Sequence, residues 1–169
     1  QTHKGKFMKS TDGGKNWFSI SQPLDIDKRL KIYSIMIDPE NSDIIYFSIP
    51  KKSLEVGKFW HDIGDVKPGV YRSVDGGYNW QIMNKGLPDH SSVHRIIFDP
   101  EDSKTLYAAL LADRDKLGGL YLTRDCCENW EKVTIPPVIE QVNHVHIDKT
   151  GRIDISAGRE NIDLQNLEC

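Results

Sequence analysis

A run of aromatic and acidic residues near the middle of the chain has the composition of a carbohydrate subsite. Phe59-Trp60-His61-Asp62 is followed closely by Asp65. An exposed aromatic ring offers a sugar a stacking surface, and a carboxylate or imidazole beside it can act as acid, base or ligand. The alternatives are a hydrophobic plug that folds back onto the protein and a solvated polar loop. We therefore take Phe59, Trp60, His61 and Asp62 as candidate ligand-binding residues.

A second candidate set emerges when three similar stretches are superposed on Asp38, Asp99 and Asp148, each of which follows an apolar run. Tyr33, His94 and Asn143 then share one position, and Ser34, Arg95 and His144 share the next. We predict that Tyr33, His94, Arg95 and His144 bind a ligand. His144 and His146 are also a possible metal pair, but two histidines without a third ligand do not make a zinc site. We expect no metal and no cofactor, and core or channel-rim histidines remain the alternative.

The carboxylates do not single out a catalytic pair. Glycoside hydrolysis normally needs two carboxyl groups roughly 5–10 Å apart. The candidates are Asp25, Asp27, Asp62, Asp65 and Asp89. Because no spacing distinguishes any two of them, the sequence leaves open whether the protein is an enzyme at all.

The elements that would position these residues are indicated by an eight-residue segment that occurs three times. Its copies are Ser10-Thr11-Asp12-Gly13-Gly14-Lys15-Asn16-Trp17, Ser73-Val74-Asp75-Gly76-Gly77-Tyr78-Asn79-Trp80 and Thr123-Arg124-Asp125-Cys126-Cys127-Glu128-Asn129-Trp130. Such self-similarity indicates a repeat architecture. Asp-Gly between apolar stretches predicts a hairpin turn, in which the Asp side chain accepts backbone N–H groups. A calcium site is the alternative, although the further carboxylates that calcium requires are missing.

The pattern S/T-x-D-x-x-x-x-W resembles the Asp-box repeat of sialidase, xyloglucanase and Vps10/sortilin β-propellers. The resemblance implies a structural role for the box residues and a ligand on the opposite, variable-loop face; it also slightly favours an extracellular or periplasmic location. The Asp-Pro-Glu-Asn turn at 38–41 and Gly86-Leu87-Pro88 fit the xyloglucanase kind best, and the sialidase Arg-Ile-Pro signature is missing. Cys126-Cys127 replaces Gly-Gly, so the resemblance does not fix the geometry of the third turn. The structural box residues are Ser10, Asp12, Gly14, Trp17, Ser73, Asp75, Gly77, Trp80, Thr123, Asp125 and Trp130.

Further features recur in step with the segments and define a four-stranded unit. Each unit reads strand 1, Asp-Pro turn, strand 2, variable loop, strand 3, repeated turn and strand 4, which is the meander of a propeller blade. We predict an all-β chain of about three blades. Its parts are a half blade at 5–20, blades at 30–84 and 91–134, and a half blade at 142–158 that supplies strands 1 and 2.

Ring closure requires more blades than the chain supplies. Closed propellers typically use 4–8 blades, and an open array exposes strand edges and apolar flanks. We therefore expect further blades from the same or a second chain, and we expect ligand binding to need them.

Composition excludes several classes of function. The net charge is −3, and Lys and Arg are scattered, which disfavours nucleic-acid binding. No apolar run approaches the 18 residues of a membrane span. Cys126, Cys127 and Cys169 are too few for a disulfide framework. Two functions remain: a non-enzymatic propeller segment that binds a protein or glycan, and a fragment of a glycoside hydrolase.

Overall fold

The computed structural model describes residues 8–19, 32–51, 55–56, 59–60, 66–112, 118–135, 142–157 and 160–163. The regular secondary structure in this part of the chain consists almost entirely of β-strands, which confirms the all-β prediction. No helix in the described residues is long and apolar enough to cross a membrane. The strands are β1 (Met8–Lys9), β2 (Phe18–Ser19), β3 (Ser34–Ile37), β4 (Ile45–Ile49), β5 (Glu55–Val56), β6 (Phe59–Trp60), β7 (Gly69–Ser73), β8 (Gln81–Ile82), β9 (Ser92–Phe98), β10 (Leu106–Leu111), β11 (Gly119–Thr123), β12 (Glu131–Lys132), β13 (His144–Ile147), β14 (Ile153–Ala157) and β15 (Glu160–Asp163).

Two complete four-stranded antiparallel sheets form the centre of the molecule. The first has the order β3-β4-β7-β8 and the second has the order β9-β10-β11-β12, so neighbours in space are also neighbours in sequence. Both are meanders of the propeller-blade kind, as predicted. We call them the first and second blade. The inner strands β3 and β9 are the first strands of their blades, and β4, β10 and β11 consist largely of buried residues.

Two incomplete sheets flank the blades. At one end β1 pairs with β2, as expected for strands 3 and 4 of a blade. At the other end β13 pairs with β14, and β15 adds a third strand along the free edge of β14. This third strand was not predicted, because residues 160–163 match no strand of the repeated unit. We call β13-β14-β15 the third sheet.

The variable loop of the first blade also contains structure that the sequence did not indicate. Within it, β5 pairs with β6 to form a short hairpin, with Glu55 opposite Trp60. The loop was expected to be irregular. The hairpin lies in the connection from strand 2 to strand 3, at the blade end that we call the variable-loop face.

The three repeated turns lie at the other end of the blades, which we call the turn face. In the second copy, Ser73 Oγ accepts the N–H of Gly77 at 2.8 Å and donates to Asp75 Oδ1. Asp75 Oδ1 also accepts the N–H of Asn79 at 2.8 Å, and Oδ2 accepts the Asn79 side-chain amide at 2.6 Å. The other two copies repeat these contacts. The carboxylate is thus engaged by hydrogen-bond donors, which does not support the calcium alternative.

The third turn keeps the backbone of the other two despite its cysteines. Gly76 and Gly77 have φ angles of 73° and 98°, and Cys126 and Cys127 at the same positions have 58° and 71°. A residue with a Cβ pays a steric cost in this left-handed region, whereas glycine does not. The Thr123 and Asp125 hydrogen bonds therefore hold a turn that its own residue types disfavour.

Apolar faces of neighbouring sheets pack against one another to form the core. Between the two blades, Trp130 is 5% exposed, and its ring N–H donates to the carbonyl of Met83 at 2.9 Å. Between the second blade and the third sheet, Ala109 and Leu120 pack against Val145 and Ile155. Each sheet is therefore covered on the side where another sheet follows.

The face of the first blade that points away from the second is covered only in part. Ile35 and Ile37 on its inner strand are 53% and 52% exposed, and Trp17 of the first repeated turn is 60% exposed. Trp17 occupies the repeat position of the buried Trp130. The difference follows from packing, because Trp130 packs against the first blade, whereas no sheet among the described residues covers Trp17.

Candidate functional site

Three aromatic rings form a column across the inner strands at the variable-loop face. The rings of Tyr33 and His94 meet edge to face, with centroids 4.7 Å apart, and those of His94 and His144 follow at 6.0 Å. Tyr33 is 44% exposed and His144 is also exposed. The superposition of the repeats places Tyr33 and His94 at one position of the blade entrances and His144 at the next, and the structure brings the three rings together.

Polar contacts between the sheets hold the column in place. Ser34 Oγ at the start of β3 accepts the N–H of Ile96 at 3.2 Å and donates to its carbonyl. His94 Nδ1 lies 3.2 Å from the carbonyl oxygen of Asn143, just before β13. These contacts join β9 to the strands on both sides, so the spacing of the three rings is fixed by neighbouring backbone.

A groove of about 740 Å³ shares His144 with this column and is lined by the inner strands and β14. Tyr33 and His94 are not among its lining residues. Met36, Ile97 and Phe98 give it an apolar wall, and Arg95, His144, His146, Arg152, Asp154 and Ser156 give it polar ones. The strand register places His144 opposite Ser156 and His146 opposite Asp154. Because directly opposed residues of antiparallel strands have Cβ atoms about 5 Å apart, these four side chains form one patch.

The charges in the groove are mostly positive. Asp154 accepts a hydrogen bond from Arg152 Nε at 3.1 Å, and both side chains are about two-fifths exposed. Arg95 is exposed, and no carboxylate among the described residues forms an ion pair with it. His144 and His146 are exposed as well, and no described His, Cys, Asp or Glu joins them in a metal-binding group.

Other predicted residues stand apart from this groove or beyond the described part of the chain. His61, Asp62, Asp65, Asp25 and Asp27 lie outside the described residues, as do the side chains of Phe59 and Trp60. Asp89 is exposed in the connection between the two blades and does not line the groove.

Four polar groove residues were missed as ligand contacts: His146, Arg152, Asp154 and Ser156. The repeats carry a signal for two of them. His146 aligns with Met36 and Ile97, and Asp154 aligns with Tyr46 and Tyr107. A change from apolar to polar at two aligned positions of the third sheet was visible in the sequence.

On the turn face, the Asp carboxylates of the repeated turns accept hydrogen bonds within the turns, and these bonds lower their pKa values. The pKa of Asp75 is lowered to about 2, first by the backbone N–H of Asn79 and then by its side-chain amide. The pKa of Asp125 is also lowered to about 2, first by the side-chain amide of Asn129. Both groups are fully committed to local donors at the end of the blades opposite the aromatic column.

Comparison with known proteins places the chain beside xyloglucan-degrading enzymes. No family model matches the sequence. An oligoxyloglucan-reducing end-specific xyloglucanase of Emericella nidulans is 32% identical over 80 residues. The match covers 45% of this chain and 9% of that enzyme. The chain thus spans less than a tenth of the length of this relative.

Solved structures share the fold at low sequence identity. A GH74 enzyme of Niastella koreensis superposes with a TM-score of 0.63 at 20% identity, over 91% of this chain and 22% of that one. An ancestral GH74 enzyme gives 0.62 at 19% identity, over 92% and 20%. YCF48 bound to a D1 peptide gives 0.54 at 16% identity, over 92% and 42%. These structures show that the chain has the fold of part of a β-propeller.

Proposed function

We propose that this chain is a non-enzymatic segment of a β-propeller of the Asp-box type and that the groove along its inner strands binds an oligosaccharide. The observation that carries the proposal is the column of Tyr33, His94 and His144, whose last ring, His144, also lines the groove. Aromatic rings present an apolar body with polar groups at the edge, such as the tyrosine hydroxyl and an imidazole nitrogen. A sugar ring has the same combination of apolar faces and polar edges.

The likeness to xyloglucan-degrading enzymes supports a glycan ligand in preference to a protein. The Emericella nidulans relative is named for its action on oligoxyloglucan, and it shares 32% identity over 80 residues. YCF48 is recorded with a bound peptide, but its identity to this chain is only 16%. We therefore propose a glycan as the ligand.

Participation in a glycoside hydrolase is the second candidate, and the same relative favours it. Such an enzyme needs two carboxyl groups in reach of one glycosidic bond. The described lining of the groove contains one carboxylate, Asp154, which is held by Arg152. We assign binding to the described residues for that reason, and further blades would have to contribute to any hydrolysis.

Further blades are also part of the proposal, because the apolar flank at Ile35 and Ile37 has the character of an interface between blades. At the equivalent positions of the second blade, Ile96 and Phe98 pack against the first blade. We propose that strands 1 and 2 of another blade cover Ile35 and Ile37, supplied by the same or a second chain. Because the two blades and the third sheet supply the lining of the groove, we propose, in contrast to the expectation from the sequence, that the groove binds a glycan without those further blades.

Binding can be tested by calorimetric titration of the chain with xyloglucan heptasaccharide and cellotetraose. Tyr33→Ala and His94→Ala are expected to weaken binding about tenfold, since each removes part of the stacking surface. Tyr78→Ala is the matched control, because Tyr78 is an exposed tyrosine on the turn face. Equal affinities in all three variants would contradict the proposed site. Release of reducing sugar from the same oligosaccharides would favour the hydrolase.

A further inference from the structure

The third sheet departs from the two blades at the positions that face away from the preceding blade. In the blades these positions on strands 1 and 2 carry Met36 with Tyr46, and Ile97 with Tyr107. In the third sheet the aligned pair is His146 with Asp154. Residues that pack between blades have been replaced by residues that need water, a counter-ion or a ligand.

The residue type also changes at the position two residues earlier on strand 1. Ser34 of the first blade aligns with Arg95 of the second and His144 of the third. Ser34 is occupied in linking β3 to Ile96, whereas Arg95 and His144 are exposed and line the groove. The polar substitutions therefore line the groove from both the second blade and the third sheet, next to its apolar wall.

The balance of charge in this patch is opposite to that of the chain. The chain as a whole has a net charge of −3. Two arginines line the groove against one carboxylate, Asp154, which is already bound to Arg152. Arg95 has no carboxylate partner among the described residues. A guanidinium in this position can take a carboxylate through two parallel N–H donors.

We infer that the groove selects an acidic oligosaccharide and that Arg95 and His144 bind the carboxylate of a uronic acid unit. The inference rests on the proposed binding function and adds the class of sugar. The aromatic column reaches the patch at His144, so a sugar ring stacked on it would carry its carboxylate to Arg95. That continuity between ring surface and charge favours an acidic sugar over an acidic peptide.

The test compares tetragalacturonate with its fully methyl-esterified form, which has the same backbone without charge. Calorimetry with the 169-residue chain is expected to show at least about tenfold tighter binding of the acid. Raising the salt concentration from 50 to 300 mM should weaken binding of the acid alone, because exposed charges are screened.

Substitutions of Arg95 provide the second part of the test. Arg95→Gln is expected to cost roughly tenfold in affinity for the acid and to leave the ester unchanged, and Arg95→Lys should retain part of the affinity because it keeps the charge. The control is Arg124→Gln, an exposed arginine on the turn face. Circular dichroism and thermal unfolding establish that every variant is folded.

The outcomes separate this inference from the proposed function. Equal affinity for acid and ester would overturn the acidic ligand but leave glycan binding in place, and so would binding of xyloglucan heptasaccharide alone. Binding of a hexaglutamate peptide without tetragalacturonate would overturn the sugar in favour of a peptide. A folded chain that binds none of the glycans would overturn both proposals.

Discussion

The guanidinium of Arg72 joins the two blades by donating a 2.8 Å hydrogen bond to the carbonyl oxygen of Cys126. It also donates to Glu128 Oε1 at 2.8 Å, and its side chain is largely buried. Arg72 stands just before the second repeated turn and reaches the third. Lys9 stands at the same position before the first turn, and its ammonium lies 3.9 Å from Asp43 of the first blade. The contact between a basic residue and the next blade thus recurs along the array.

Removing the Arg72 contact should destabilise the packing between the two blades. We expect Arg72→Met to destabilise the protein by roughly 1.5–3 kcal/mol, because the carbonyl of Cys126 loses a charged donor in a partly buried place. Arg124→Met is the control; its ion pair with Glu131 is exposed and is worth about 0–1 kcal/mol. Urea unfolding followed by tryptophan fluorescence measures both changes. Equal stability of the two variants would contradict a role for Arg72 between the blades.

The third repeated turn should become more stable when one of its cysteines is replaced. Cys126 has a φ of 58°, and glycine relieves a left-handed strain of about 1–2 kcal/mol at a backbone entropy cost of about 0.5–1 kcal/mol. Cys126→Gly is therefore expected to stabilise by about 0.5–1 kcal/mol.

Cys127→Gly is the comparison for that change, since Cys127 has the same backbone form but is fully buried in the core between the blades. Loss of its side chain should offset the relief of strain and leave the variant no more stable than the wild type. Thermal unfolding under reducing conditions measures both variants. A gain from Cys127→Gly that matched the gain from Cys126→Gly would show that strain alone decides.

Close packing at Gly86 predicts a sharp difference between two glycines. A Cβ on Gly86 would lie 2.0 Å from the carbonyl oxygen of Trp130, whereas a Cβ on Gly13 would meet no atom within 4 Å. Both residues have positive φ angles, so the backbone cost is shared. Gly86→Ala is expected to destabilise by about 2–4 kcal/mol and Gly13→Ala by about 1 kcal/mol. Similar melting temperatures for the two variants would show that the contact with Trp130 relaxes freely.

Acid should remove the contribution of Asp75 to stability. Its folded-state pKa of about 2 lies below the ordinary value of 3.8, so the ionised form is preferred in the folded protein. The contribution is present above about pH 4 and is lost as the pH falls through 2. Asp75→Asn should therefore lower the melting temperature by several degrees at pH 7, and the gap should shrink towards pH 2. A gap independent of pH would exclude this carboxylate as its source.

The apolar flank of the first blade predicts self-association of the isolated chain. Ile35 and Ile37 are half exposed on an inner strand, so burying them against another blade is favourable. Sedimentation should show oligomers, and Ile35→Asn with Ile37→Asn should weaken association about tenfold or more. Val74→Asn, at an exposed apolar residue of the turn face, is the control. A compact monomer with both incomplete sheets paired internally would refute the need for further blades.

The strands of the repeated unit, their order and the turns between them could be predicted from the sequence, whereas β5, β6 and β15 could not. The contacts that build a repeated turn join residues two to four positions apart, as between Ser73 and Gly77, so their residue types appear together in the chain. Antiparallel meanders likewise pair neighbouring segments. The fold class, the shared position of Tyr33 and His94, and that of Arg95 and His144 could be predicted for this reason.

The long-range contacts of those residues follow from the packing of the sheets. Arg72 and Cys126 are 54 positions apart, and Trp130 is buried while the equivalent Trp17 is exposed. The groove brings Arg95 to Arg152 and Asp154, although no local pattern connects them. A repeated local signal specifies the same unit each time, but burial and site chemistry depend on which sheet lies against it. The neighbouring sheet is set by long-range packing, and so the sequence alone does not specify the site.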